Sequence, residues 1–460
     1  MKIAKISQSL QIEPVQGSMK TQRPFKFIHT GDWHLGQIFN EYDRTREHTA
    51  FFGSLKGIVA GEQPDALLVC GDIYHSSVPS ASVQKLYTDA VLELKEACPD
   101  MTVVIIAGNH DSPTRLEIDR NLWEHLGVKV IGSLSKTEGE VCLEKHIVGI
   151  PSREDGMAGY VVAVPHVFRQ NYPELPDGSG TTEYLPGGAR QDNHQYVRQK
   201  AFYQALLDRV KSCDAEVPVV LMAHLAVSGC DASGHDDTIG GMEYTPQDVF
   251  PDGYDYLALG HIHHPQTLRR TGAASIKTGG EEVYASPVAR YSGSPVAVSF
   301  DENYAHSVSV VEISGSETGD GKQVRIKQVE IPQSVPMKTI PDHPVPFEEA
   351  LGALEAFPGN TKAYIRLDVL IKDYLPQNAA ARAMSVAESK ECRYCGMKVT
   401  RESVASPDDA RRLSVEEIKA VDPVEIAGMY YRQRFGTGLD PELEEMLKEV
   451  ADEEYNRREE

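Results

Sequence analysis

The hydrophobic and polar positions in the first hundred residues follow two different periods. Short apolar runs (FKFIH, ALLVC and TVVII) have the length and composition of buried strands. The segments between them, 41–65 and 77–100, place apolar residues at helical spacing, and the second opens with a serine-rich cap. This β-α-β-α-β order predicts parallel strands joined by crossover helices.

Side chains able to bind a metal follow each of these runs, usually after a glycine. Two later apolar runs, VPVVLMAH and YDYLALGHIHHP, end in the same way. In open α/β sheets, sites assemble at the carboxyl ends of strands, and glycine permits the close backbone approach needed there. We therefore expect five strand ends to meet at one edge of a sheet. They carry Asp32, His34, Asp72, Asn109, His110, His224, His261 and His263.

The donor types narrow the metal. Carboxylate, amide oxygen and imidazole without cysteine suit Mn, Fe, Zn or Mg. Seven donors are too many for one tetrahedral zinc but fit two ions that share a bridging carboxylate, and such a pair can activate water and stabilise the leaving oxygen of a phosphate ester. His110 remains as a candidate general acid or transition-state stabiliser. We interpret His48 and His75 as non-ligands.

The rest of the chain divides into further segments. Two alternating patterns within 307–331 predict a β-hairpin, and the proline-rich stretch 332–346 predicts a domain junction. A helix-strand-helix-strand pattern over 345–400 predicts a small α+β module. This module contains a single C-x-x-C, Cys392 and Cys395; a zinc site would need a second pair or nearby histidines, so unligated cysteines are the favoured interpretation.

The ordered motifs D-x-H, G-D, G-N-H-D, a lone H and G-H-x-H resemble the calcineurin-like metallophosphoesterases. TGDWHLG, GDIYHSSVPS, GNHDSPTRL, ALGHIHHPQ and YSGSPVAVSFDE are similar to the SbcD-type nuclease subunits of that superfamily. The resemblance is strong over 25–301. It implies an α/β fold, the αββα metallophosphoesterase sandwich, with a small α+β capping domain and C-terminal helices. The implied division is an N-terminal extension (1–24), nuclease domain (25–331), capping domain (345–405) and helical partner-binding segment (411–460).

The same resemblance implies a site and an activity. One metal, Mn²⁺ as is usual for the family, would be held by Asp32, His34, Asp72 and His263. The second would be held by Asp72, Asn109, His224 and His261, with Asp72 bridging, and His110 would assist the leaving oxygen or the phosphate charge. The implied function is exonuclease activity on double-stranded DNA and endonuclease activity on single-stranded or hairpin DNA, in recombination and repair.

The net charge of −22 is unusual for a DNA enzyme, since phosphate binding normally recruits lysine and arginine. Bound divalent ions would add positive charge at the site, and we expect a partner to supply much of the DNA binding. The resemblance implies an SbcC-type, SMC-like ATPase and a homodimer in a two-plus-two complex. Arg44 and Arg115 are candidate phosphate contacts, with solvated surface arginines as the alternative.

Seven scattered cysteines imply no disulfide framework, which favours a reducing, cytoplasmic compartment. No apolar run is long enough for a membrane span, and the first residues lack a signal-peptide core. Residues 1–18 are expected to be an extension, or Met19 the true start.

Two other functions fit part of the pattern. A generic phosphodiesterase or phosphatase would use the same metals, but protein phosphatases of this fold usually carry an Arg-Gly pair where this chain has HSSVPS. A non-catalytic scaffold would keep the fold without the chemistry. Every expected ligand position is filled here, and His110 is present, which favours an active enzyme.

Overall fold

The computed structural model describes residues 23–134, 136–137, 140–154, 156–174, 196–214, 216–234, 243–268, 276–278, 280–315, 321–372 and 374–402, together with residues 428 and 446. Most of the expected N-terminal extension (1–24) and nearly all of the expected helical segment 411–460 therefore lie outside the described residues. The chain divides into two compact units, residues 1–369 with 375–399 and residues 370–374 with 400–460.

A first large sheet contains eight strands: β1 (Phe25–Thr30), β4 (Ala66–Cys70), β5 (Thr102–Ile106), β6 (Val128–Ile131), β16 (Ile276–Thr278), β17 (Glu281–Ala285), β19 (Ser307–Gly315) and β20 (Lys322–Glu330). β1, β4, β5 and β6 are parallel neighbours, which confirms the crossover prediction. The hairpin predicted within 307–331 is also confirmed as β19 and β20, and it extends this sheet because β19 pairs antiparallel with β1.

A second large sheet contains six strands: β9 (Ile147–Pro151), β10 (Met157–Ala163), β11 (Val219–His224), β14 (Tyr256–Gly260), β15 (Gln266–Leu268) and β18 (Val288–Tyr291). Its four inner strands run parallel. Three two-stranded ladders are formed by β2 (Ile38–Phe39) with β3 (Tyr42–Asp43), β7 (Lys136–Thr137) with β8 (Glu140–Val141), and β12 (Ala226–Val227) with β13 (Tyr244–Thr245).

The two sheets face each other across a buried core. Phe27 and Leu68 of the first sheet share this core with Val220 and Tyr256 of the second. The outer face of the first sheet packs against α1 (Thr45–Glu62) and α2 (Ala81–Ala97), and that of the second packs against α5 (Val197–Lys211). Because side chains alternate across a strand, each central strand contributes to two cores. The result is the expected αββα sandwich. Two short helices, α3 (Pro113–Leu116) and α4 (Arg120–His125), follow β5.

A three-stranded sheet with two helices forms a smaller module over residues 337–401, and we call it the small module. It consists of β21 (Met337–Pro346), α6 (Phe347–Ala356), β22 (Tyr364–Ile371), α7 (Ala379–Glu388) and β23 (Arg393–Arg401), with β22 in the centre of its sheet. The helix-strand-helix-strand prediction is confirmed. The prediction that 332–346 is only a junction was wrong, since 337–346 is a strand. That strand is at the edge of the sheet, where proline is tolerated because it has no ladder partner on one side.

The ligand-bearing strand ends do not share one sheet, contrary to the expectation from sequence. β1, β4 and β5 belong to the first sheet, whereas β11 and β14 belong to the second. The carboxyl ends of both sheets meet, because β11 and β14 lie against β4 in the sandwich. Strands buried on both faces have the same apolar pattern in either sheet, so the pattern alone could not assign them.

Candidate metal centre

The loops that follow the strands are held to one another by backbone hydrogen bonds. The backbone N–H of Asp32 donates to the Gly71 carbonyl at 2.9 Å, and that of His34 donates to the Asp72 carbonyl at 3.0 Å. Asp32, His34, Asp72 and His261 all have positive φ, of 52°, 47°, 48° and 96°. Non-glycine residues rarely adopt this conformation, and it persists where surrounding structure enforces it. Four of the predicted ligand residues are therefore held in strained backbone positions.

Glycine is required at two of the crossing points. A Cβ on Gly260 would lie 1.8 Å from the Cys70 carbonyl oxygen, and one on Gly108 would lie 2.1 Å from Asp72 Oδ1. No side chain fits either position, so the close backbone approach predicted for these glycines is confirmed.

A first cluster brings together Asp32, His34 and His263, each with a ligand atom within 4.8 Å of the others'. The Nε2 atoms of His34 and His263 are 3.2 Å apart. Asp32 Oδ1 accepts a hydrogen bond from the backbone N–H of His261, whereas Asp32 Oδ2 and His34 Nδ1 are buried with no hydrogen-bond partner among the described residues. Buried polar atoms of this kind normally have partners, so this cluster suits a cation.

A second cluster brings together Asp72, His224 and His261 within the same 4.8 Å limit. Asn109 Oδ1 lies 3.0 Å from both His224 Nε2 and His261 Nδ1. His224 Nδ1 donates to the Cys70 carbonyl at 2.7 Å, which in the neutral ring leaves the Nε2 lone pair directed at an amide oxygen. Two such acceptors facing each other fit the coordination of a shared cation.

Asp72 lies between the two clusters. Its Oδ2 is 3.4 Å from His224 Nε2 and 3.8 Å from His34 Nε2. Although burial raises the pKa of a carboxyl, the imidazoles of His224 and His34 hold the pKa of Asp72 well below its usual value. In return, Asp72 outweighs the effect of burial and raises the pKa of His224 to about 9. The position demands positive charge, from a proton or a metal ion.

His110 lies at the edge of both clusters. Its backbone N–H donates to Asp72 Oδ1 at 2.9 Å, and its Nδ1 lies 3.0 Å from the His75 carbonyl, which can only accept. Nδ1 therefore carries a hydrogen, and Nε2 is the nitrogen left for a substrate. The His75 ring stacks on His110 with centroids 5.6 Å apart, and His34, His75 and His110 also form a compact three-nitrogen group.

Two acidic residues at the centre had no role in our sequence interpretation. The Asp111 carboxylate accepts hydrogen bonds from the backbone N–H groups of Gly108, Ile73 and Tyr74, so it ties the loop after β4 to the loop after β5. Glu302 Oε1 accepts from His263 Nδ1 at 2.9 Å. Both belong to motifs that carried the resemblance, GNHD and SFDE, but neither follows an apolar run directly.

Arg44 takes neither of the two roles considered for it. The residue is 1% exposed, and its guanidinium donates to Gln37 Oε1 and to the Ala297 carbonyl. It is a structural residue beneath the surface. Arg115, by contrast, is exposed.

A cleft of about 660 Å³ borders the second cluster at Asn109. His166 lies between the cleft and the cluster, with Nδ1 3.2 Å from the His224 carbonyl, and burial lowers the pKa of His166 to about 4. Phe168, on the same wall, is 61% exposed. The cleft thus offers neutral and aromatic groups beside a charged centre.

Comparison with known families agrees with this geometry. The calcineurin-like phosphoesterase family matches residues 25–265, which include all seven predicted metal ligands and His110. The chain belongs to this family, whose fold implies divalent metal ions at the site and a metal-dependent phosphodiesterase activity.

Three curated relatives narrow the type. The SbcD component of nuclease SbcCD from Rhodobacter capsulatus is 31% identical over 83% of this chain and 89% of its own length. The proteins of the same name from Escherichia coli K12 and Bacillus subtilis 168 are 29% and 28% identical, over 68% and 65% of this chain and 70% and 69% of their own lengths. Within the family, the chain is a nuclease subunit of the SbcD type. Among the described helices, none has the length and apolar character needed to cross a membrane.

Proposed function

We propose that the chain hydrolyses DNA phosphodiesters at a centre of two Mn²⁺ ions. Asp32, His34, Asp72 and His263 hold one ion, and Asp72, Asn109, His224 and His261 hold the other. The observation that carries this proposal is the position of Asp72, an ionised carboxylate within 3.8 Å of imidazole nitrogens from both clusters. When bound, such a pair of ions activates water and stabilises the leaving oxygen of a phosphodiester.

The chain's own residues orient the reacting groups. Cys70 and Glu302 accept hydrogen bonds from the Nδ1 atoms of His224 and His263, so each ring presents Nε2 to the centre. His110 is held by the His75 carbonyl and by Asp72, and it contributes a proton to the leaving oxygen or stabilises charge on the phosphate.

The substrates and partner follow from the relatives. Those proteins are named as components of the SbcCD nuclease, and the corresponding partner of this chain is an SbcC-type, SMC-like ATPase. The net charge of −22 supports a partner that supplies basic surface for DNA. We assign to this chain exonuclease activity on double-stranded DNA and endonuclease activity on single-stranded or hairpin DNA, in the cytoplasm. Segment 411–460 binds the ATPase, and the small module is the capping domain.

A homodimer is supported by one surface. Ile118, Leu122 and Leu126 are 76%, 67% and 45% exposed and are spaced four residues apart across α4 and its flanks. Their spacing places them along one side of a helical stretch, and exposed apolar patches of this kind mark interaction sites. Sedimentation of wild type and Leu122→Glu tests whether this stripe is the dimer contact, with dissociation expected in the variant.

The test of the function is cleavage of linear double-stranded and hairpin DNA with Mn²⁺. Wild type, His110→Ala and the exposed-histidine control His343→Ala are compared, and metal content is measured in each. We expect His110→Ala to lose about 10²-fold or more in rate with unchanged metal content, and His343→Ala to match wild type. Turnover of a small phosphodiester without DNA cleavage, even with the ATPase added, would instead indicate a generic phosphoesterase. Bound metal with no turnover of either substrate would indicate a scaffold.

A further inference from the structure

The His263 ring is oriented by a side chain that no strand carries. Its Nδ1 donates to Glu302 Oε1 at 2.9 Å, and both residues are at least nine-tenths buried. The other carboxylate oxygen, Oε2, accepts from the backbone N–H of Val298 at 2.9 Å. Both carboxylate oxygens are therefore used to fix one orientation of the His263 imidazole, with Nε2 toward His34.

Glu302 lies in the connection between β18 and β19, outside any helix or strand. A side chain on a sheet strand is positioned by the ladder, whereas one in a connection is positioned by whatever that connection contacts. The position of Glu302 therefore depends on the contacts of residues 297–302, which we call the Glu302 loop.

The small module holds one end of the Glu302 loop. Arg366 on β22 donates to both carboxylate oxygens of Asp301, at 2.7 and 3.3 Å, and its guanidinium lies 5.0 Å from the centre of the Phe300 ring. Bidentate arginine–carboxylate pairs fix geometry as well as charge. Arg366 also donates to Thr339 Oγ1 of β21 at 3.2 Å, so the clamp is anchored within the module.

The other end of the Glu302 loop is held by Arg44, which is itself packed against the module. Arg44 donates to the Ala297 carbonyl, and its guanidinium lies 5.6 Å from the Tyr364 ring of β22. The Tyr364 hydroxyl and the Arg393 guanidinium both donate to Glu47 at the start of α1. Two separate sets of contacts thus connect the small module to the residues on either side of Glu302.

We propose that the small module sets the position of the metal ligand His263 through Arg366, Asp301 and Glu302. Movement of β22 relative to the sandwich displaces the Glu302 loop and so changes the geometry of the first cluster, while the second cluster is unaffected. Glu302, Asp301 and Arg366 are positioning residues. The inference rests on the proposed role of His263 as a metal ligand.

The test measures Mn²⁺ binding by isothermal titration calorimetry to the full chain freed of metal. The variants are Glu302→Gln, Asp301→Asn, Arg366→Gln and the double variant of the last two. Arg382→Gln is a matched control, because Arg382 also makes a bidentate pair, with Glu348 at 2.6 and 2.7 Å, and lies 5.1 Å from an aromatic ring, that of Phe347, within the module. Thermal melting in EDTA checks that each variant is folded.

Two sites of distinguishable affinity are expected in wild type and in Arg382→Gln. Glu302→Gln should weaken one site by about 10-fold or more, as for other residues that support a metal ligand. Arg366→Gln and Asp301→Asn should each weaken the same site several-fold, and the double variant should be no worse than either single one. Two wild-type sites in Glu302→Gln or in Arg366→Gln would overturn the inference while leaving the nuclease proposal intact. Absence of Mn²⁺ binding to wild type would overturn both.

Discussion

The two clusters of the centre fix their histidines by different means. In the second cluster, His224 ends strand β11 and donates to a backbone carbonyl at the end of β4, so two sheets determine its orientation. In the first cluster, His263 is oriented by a carboxylate in a connection that the small module clamps. The comparison shows one half of the centre built on the sandwich and the other half dependent on contacts that a domain motion can change.

The largest expected effect comes from the residue that the two halves share. Asp72→Asn removes the charge that both clusters face, so we expect both Mn²⁺ sites to weaken and DNA cleavage to fall by more than about 100-fold. Calorimetry and cleavage of hairpin DNA measure the two effects. Asp100→Asn, at an exposed carboxylate, is the control and should leave both unchanged. Loss of a single site would show that Asp72 is not the bridge.

A smaller effect is expected from crowding the half built on the sandwich. Gly71 has φ +85°, and a Cβ there would lie 2.3 Å from His224 Nδ1. Gly71→Ala should lower the free energy of unfolding by about 2–4 kcal/mol through strain and overpacking. In contrast, Gly57→Ala on α1 meets no atom within 4 Å and should raise it by about 0.5–1 kcal/mol, because alanine is the better helix former. Urea denaturation of both metal-free variants decides; equal values would contradict the close approach.

The smallest effect is expected in the half that depends on the Glu302 loop. Ligand binding stabilises a folded protein according to the ratio of ligand concentration to Kd. If Glu302→Gln weakens one site tenfold, the stabilisation by saturating Mn²⁺ should fall by about 1.4 kcal/mol relative to wild type. Denaturation with and without Mn²⁺ measures the difference, with the metal-free values as the internal reference. The same stabilisation in both proteins would show that Glu302 does not support a metal ligand.

Much of the sandwich could be predicted because its strands and crossover helices follow different apolar periods. The predicted ligands could be named because each follows a buried run, usually after a glycine. The assignment of β11 and β14 to a second sheet could not be predicted, since strands buried on both faces look alike. Glu302 was missed because it lies 39 residues from His263, in a connection with no periodicity. Residues 337–346 were misread because prolines suit an edge strand as well as a junction.

The positive φ angles of Asp32, His34, Asp72 and His261 carry a consequence for how this sequence can change. Each strained backbone position costs about 1–3 kcal/mol unless glycine relieves it. Substitution by glycine at such a position would therefore tend to increase the stability of the metal-free fold while it removes a donor from the centre. Laboratory selection for thermal resistance alone, without selection for cleavage, should accumulate changes at these positions and erase the enzyme.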